Sequence, residues 1–114
     1  MPDVESDIWY WYQNISEPYY HIQLIIEYRK SLLNKKTEKV ILEATKEFKE
    51  RYAIEISHVG FDKNHVHFLC KFLLKYSGGQ VIKVIKSITA KEIFREVPEI
   101  KKELWGGEIW TDGY

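Results

Sequence analysis

Residues 64–72 read Asn64-His65-Val66-His67-Phe68-Leu69-Cys70-Lys71-Phe72, and this stretch limits the possible folds more than any other. Alternate side chains of a strand point to opposite faces. Taken as a strand, the stretch places Val66, Phe68, Cys70 and Phe72 on one apolar face. His65 and His67 then share the other face. The apolar face asks for a layer packed against it, and the histidine face is left for solvent or a ligand. Two imidazoles two residues apart on one face can grip a single divalent ion. They can equally be half-exposed strand histidines, and spacing alone does not separate the two readings.

The neighbouring segments supply the rest of a sheet. Residues 19–28 are rich in β-branched and aromatic side chains and read as a strand, with His21 and Gln23 on one face. The run Ile22, Leu24, Ile25 and Ile26 suggests burial on both faces near one end. His21 could be a metal neighbour, although a structural role is the preferred reading. Residues 29–34 form a basic, polar connection. From Lys35 to Tyr52 the spacing of Ile41, Ala44, Phe48 and Tyr52 predicts a helix, with Glu47 and Arg51 paired one turn apart.

Residues 53–61 read as a second strand, and Asp62-Lys63-Asn64 supplies turn residues, so this strand and the histidine strand should form an antiparallel hairpin. With the turn centred near Lys63, Ile54, Ile56 and Gly60 are expected on the apolar face. Glu55, Ser57, Val59 and Phe61 are expected on the histidine face. Gly60 then lies opposite Val66, where a bulge can form. Ser77 and Gln80 have capping-box spacing, and a helix should run from there to about Arg95 on an inner stripe of Val81, Val84, Ile85 and Ile88. Pro98 opens a short helical turn ending at Gly106-Gly107, and residues 108–111 read as a last short strand. The order strand, helix, strand, strand, helix, strand predicts an α+β, ferredoxin-like βαββαβ sandwich, with helices on one face of an antiparallel sheet. The histidines should point away from the helices.

Four sequence blocks point further. They are His65-Val66-His67; His21-Ile22-Gln23-Leu24-Ile25-Ile26-Glu27-Tyr28-Arg29-Lys30; Lys86-Ser87-Ile88-Thr89; and Leu104-Trp105-Gly106 followed by Trp110-Thr111-Asp112-Gly113-Tyr114. The first is the histidine-hydrophobe-histidine core of the HUH nucleases. Together, from about Tyr20 to the last residue, the blocks resemble the single-tyrosine transposases, which move small bacterial and archaeal insertion sequences as single-stranded DNA. The resemblance implies the HUH (Rep-like) nuclease fold and a transposase that cleaves and rejoins one strand through a 5′-phosphotyrosine. It implies a divalent metal, Mg²⁺ or Mn²⁺, held by the catalytic residues His65 and His67, and a homodimer acting on single-stranded DNA hairpins at element ends. Imidazoles must be neutral to bind the ion, so activity should fall below a pH of about 6.5. Two nitrogens alone would favour Zn²⁺ or Mn²⁺ over Mg²⁺.

In the family that this chain resembles, a further helix carries the nucleophilic tyrosine and usually a third metal ligand. Neither falls in this sequence, so the chain is read as one HUH domain over 1–114, with its nucleophile expected beyond Tyr114. Tyr114 itself matches the Asp-Gly-Tyr passage, not that helix. Relatives often carry Asp before the first histidine; here Asn64 can still accept a hydrogen bond through its carbonyl oxygen. Glu55, Asp62 or His21 are candidates to complete the metal shell. Arg29, Lys30, Lys83 and Lys86 are candidates for contacts to the DNA backbone.

Formal net charge is zero. The distribution is uneven: residues 1–27 hold five acidic residues and no base, and residues 71–102 hold eight bases against three acids. A basic segment in a neutral protein can still meet phosphate, or it can be a pair of solvated helix faces. The aromatic run Trp9, Tyr10, Trp11 and Tyr12 can stack on bases, but packing is the preferred reading. No apolar run is long enough to span a membrane, no signal peptide is evident, and the one cysteine, Cys70, fits the core of a cytoplasmic protein. Three other readings remain open: a non-catalytic relative that binds single-stranded DNA hairpins, an unrelated ferredoxin-like RNA binder, and a plain metal-binding or dimerising domain. The RNA reading is weakened because no Gly-aromatic RNP run lies on a strand.

Overall fold

The computed structural model describes residues 19–104 and 107–111, the side chain of Arg29 excepted. The aromatic run at positions 9–12, Trp105, Gly106 and residues 112–114 lie outside the described residues. Strand β1 (Tyr20–Ile25) leads through a 3₁₀ turn (Glu27–Arg29) to helix α1 (Lys35–Tyr52). Strands β2 (Glu55–Phe61) and β3 (His65–Lys71) follow, then helix α2 (Gly78–Glu96) and a 3₁₀ turn (Pro98–Glu103).

The sheet is antiparallel with the order β1-β3-β2. Its two faces have different fates because of the alternation in β1 and β3. Ile22, Leu24, Val66, Phe68 and Cys70 are buried in one core with Ile41, Ala44 and Phe48 of α1 and Val81, Ile85 and Ile93 of α2. Phe48 meets Phe68 edge-on, with ring centroids 6.2 Å apart. On the other face Gln23, Ile25, His65, His67 and Leu69 are only half-buried and His21 is exposed. The helices therefore cover one face, and the histidines lie on the uncovered one, as the pattern predicts. Burial on both faces of β1 is not found, since Ile25 is half-buried where Ile22, Leu24 and Ile26 are buried.

Helix α1 begins where its sequence allows a reciprocal cap. Asn34 Oδ1 accepts from the backbone N–H groups of Lys36 and Thr37, and Thr37 Oγ1 accepts from Asn34 N–H at 2.8 Å. Helix α2 begins with the expected Ser77–Gln80 capping box. Its inward face is rotated from the expected stripe: Ile82 and Thr89 are buried and Val84 is only partly so. Thr89 is fully buried because it is satisfied there. Its hydroxyl donates to Ile85 O at 2.7 Å and accepts from the Trp110 indole N–H at 2.9 Å.

The expected last strand is reduced to one antiparallel bridge, Ile26 with Trp110. Glu27 N–H donates to Ile109 O and Thr111 N–H donates to Ile25 O, both at 2.7 Å. Lys86 Nζ also donates to Thr111 O at 2.6 Å. Lys86 and Thr89 thus fasten this segment beside β1, as one helical turn can present both side chains to a neighbour.

A further correction concerns β2. Phe61 pairs with Val66, Gly60 with His67 and Val59 with Phe68, so Gly60 does not face Val66. Val59 and Phe61 lie on the core side, and Gly60 and His58 on the histidine side. The register shifts between Ile56 and His58, which places the bulge at Ser57 and returns Ile56 to the core side opposite Cys70. A one-residue slip flips every side chain it covers. Ser57 Oγ donates to Leu69 O at 3.2 Å, which occupies the hydroxyl at the bulge.

Candidate metal centre

The site is built on the β2–β3 turn. Asp62 N–H donates to His65 O at 2.9 Å and closes the hairpin. Two further bonds hold the turn from outside: Ile26 N–H donates to Asn64 O at 2.8 Å, and Leu33 N–H to Lys63 O at 3.0 Å. The end of β1 and the connection before α1 therefore fix the loop that carries Asp62 and Asn64.

Asp62, His65 and His67 each offer one ligand atom, and the three atoms lie within 4.8 Å of one another. His65 Nδ1 is 2.7 Å from Asn64 Oδ1, and His65 Nε2 is 3.0 Å from Asp62 Oδ2. An amide oxygen can only accept, so neutral His65 carries its proton on Nδ1. Its Nε2 lone pair then faces a carboxylate oxygen, and two acceptors at that distance need a positive charge between them. A proton supplies one answer and a divalent ion the other. Neighbouring ligands of an octahedral ion with bonds of about 2.1 Å are themselves about 3 Å apart. Asp62, His65 and His67 are thus a group that could hold a divalent cation. Asn64 acts on His65 as the sequence suggests, through its carbonyl oxygen.

His67 is surrounded by other imidazoles. Its ring centroid is 4.7 Å from that of His65, edge-on, and 5.0 Å from that of His21, nearly parallel. His67 Nδ1 lies 3.0 Å from His21 Nε2. His58 completes the group, with its Nε2 only 3.7 Å from where a Cβ on Gly60 would sit. All four histidines of the chain share the open face. A turn centred at Lys63 puts His58 on the core side; the observed pairing of Phe61 with Val66 and His58 with Leu69 puts it on the open face.

Burial pushes the His67 imidazole below its ordinary value, with the His65 and His21 rings adding to the effect and Asp62 opposing it. His67 is therefore neutral where a solvated imidazole begins to charge. In the metal-free protein an NMR titration should give His67 a midpoint below about 6.5, and one at or above that value would contradict the packing described. The sign for stability follows. The native chain binds fewer protons than the unfolded one between the two values, so stability from this group rises with pH through that window.

The other residues singled out by sequence lie elsewhere. Glu55 pairs with Lys71 at the far end of the hairpin. Lys30 Nζ is 3.6 Å from Glu103. Lys83 is exposed on α2, and Lys86 is half-buried against Thr111. Both lysines belong to the helix layer, across the sheet from the histidines. Arg29 has no described side chain. Cys70 is fully buried and its thiol is pushed up to about 11 by burial, which makes it a core residue with little thiolate. No helix of the described residues is long and apolar enough to cross a membrane.

An antiparallel sheet with helices on one face and paired histidines on the other is consistent with the Rep-like, or HUH, fold. The chain belongs to the IS200-like transposase family: residues 14–114 match the family described as "Transposase IS200 like". It is similar to the ISDra2 transposase TnpA of Deinococcus radiodurans, with 23% identity over 95 residues, covering 83% of this chain and 68% of that protein. A crystal structure of a protein from Deinococcus radiodurans R1, described as a candidate transposase, shares the fold with a TM-score of 0.71. Identity is 19%, and the match covers 86% of this chain and 77% of the other.

Proposed function

We propose that this transposase-family chain works on single-stranded DNA, binding hairpins at element ends as a homodimer and transferring one strand through a 5′-phosphotyrosine. The observation that carries the reading is the Asp62–His65–His67 group on an uncovered sheet face. These three residues would hold a divalent ion, with Mn²⁺ suiting two nitrogens and one oxygen better than Mg²⁺. Such an ion supplies Lewis acidity to a non-bridging phosphate oxygen. Asp62 and the two imidazoles would hold that ion at the hairpin turn. Asn64 holds His65 in the tautomer whose Nε2 lone pair is free.

In the covalent step a tyrosine oxygen bonds to phosphorus and the bond to the 3′ oxygen breaks. The 3′ oxygen leaves and takes up a proton. The phosphotyrosine keeps the energy of the broken bond, so rejoining needs no nucleotide. DNA chemistry of this kind fits a cytoplasmic protein. Lys83, on the helix layer, would meet DNA away from the metal group.

The test is a labelled single-stranded hairpin incubated with the protein and Mn²⁺. The expected result is binding at least about tenfold tighter than to the matching duplex, weakening steeply with salt. With the tyrosine segment present, a covalent adduct should survive denaturing electrophoresis. Equal affinity for duplex and hairpin would sink the reading. Hairpin preference without any adduct would favour a binding protein over an enzyme.

A further inference from the structure

We propose that His21 is a positioning residue: its Nε2 accepts the Nδ1 proton of His67 and so holds His67 in the one tautomer that leaves Nε2 free for a metal ion. The proposal rests on His67 being a ligand, as inferred above, and it adds the residue that makes His67 competent. A neutral imidazole carries one proton on either nitrogen, and the position of that proton decides which lone pair is available. In water the free side chain prefers the proton on Nε2, which is the wrong form here. Something must hold it on Nδ1.

His21 is placed to do this. Its Nε2 is 3.0 Å from His67 Nδ1, and the two rings are within 6° of parallel. The strand register puts Gln23 directly opposite His67 and His21 one diagonal step away. Diagonal neighbours on an antiparallel pair lie within reach of long and aromatic side chains. The same arrangement recurs at His65, whose Nδ1 lies 2.7 Å from Asn64 Oδ1. His65 and His67 thus each have Nδ1 engaged by a separate residue, which leaves Nε2 as the nitrogen for the ion. His21 is exposed and outside the core, so a role in holding the fold together does not account for the contact.

The experiment has a metal-free arm and a metal arm, on wild type, His21→Ala and His21→Gln. Nitrogen-15 NMR of the metal-free protein reads the His67 tautomer directly. Calorimetry with Mn²⁺ reads affinity, and thermal melts confirm that all three proteins fold alike. The expected wild-type state is Nδ1–H on His67. In His21→Ala the proton should move largely to Nε2, and Mn²⁺ affinity should fall about 10–100-fold. The glutamine variant offers a side-chain oxygen in a similar place and should recover much of both. A wild-type His67 protonated on Nε2 overturns the proposal, as does a His21→Ala protein with unchanged tautomer and affinity. A wild type that shows the expected tautomer but takes up no Mn²⁺ overturns the ligand reading and leaves His21's hold on His67 standing.

Discussion

Replacing His67 with alanine is expected to weaken Mn²⁺ binding by more than about 100-fold, because losing a ligand should exceed the 10–100-fold typical of losing a ligand's orienting partner. Asp62 and His65 alone would leave one nitrogen and one oxygen, a set with little hold on a dilute ion. The fold should barely notice. The His67 ring is half-buried on the uncovered face and touches His21 and His65, and none of the three belongs to the core. Surface changes of this kind fall within about 0.5 kcal/mol, which moves the melting temperature by roughly 2–4 °C in a domain of this size. Isothermal calorimetry and a thermal melt on the same sample check both halves. Affinity within threefold of wild type would remove His67 from the site.

The opposite outcome is expected on the other side of the same strand. Phe68→Ala should destabilise the protein by about 3–5 kcal/mol, the usual cost of emptying a buried phenylalanine site. Phe68 is fully buried and packs edge-on against Phe48 of α1. It sits on the central strand, so the cavity would open where both edge strands and the helix layer meet. Urea unfolding should show a large fall in midpoint with little change in slope. A loss below about 1.5 kcal/mol would mean that the core closes over the gap, and that Phe68 is less central than its position indicates. Together the two substitutions separate the faces of β3 into a working side and a supporting side.

Most of this architecture is readable in the chain because its signals are local. The alternation in β3 and the three-four spacing of Ile41, Ala44 and Phe48 each involve residues a few positions apart, and both elements form where the spacing puts them. The misreadings have physical causes. In β2 the turn centres between Lys63 and Asn64 instead of at Lys63, which swaps the faces of Val59, Gly60 and Phe61, and the bulge at Ser57 then restores the expected face of Ile56. In α2, Val81, Ile82, Val84, Ile85 and Ile88 are apolar on too many sides for the inward direction to stand out. The buried Thr89 bonds back to Ile85 within its own helix, but its second partner, Trp110, lies 21 positions away. At the metal group the histidine pair is legible. Choosing Asp62 over Glu55 and His21 needs the hairpin turn in three dimensions.

Asp62, His65 and His67 all fall between positions 62 and 67 of the chain. A ligand that binds only the native state at 100 times its Kd stabilises it by about 2.7 kcal/mol. That figure shrinks when the unfolded chain keeps its own affinity, and donors this close in sequence stay close when the domain melts. Saturating Mn²⁺ should therefore raise the melting temperature by less than the native affinity alone would give. The native advantage comes from ties that reach outside the hairpin: His21, 46 positions from His67, and the carbonyl contacts to Ile26 and Leu33. Metal binding would report chiefly on whether β1 has docked, since that is the event that turns a short peptide chelator into an ordered centre.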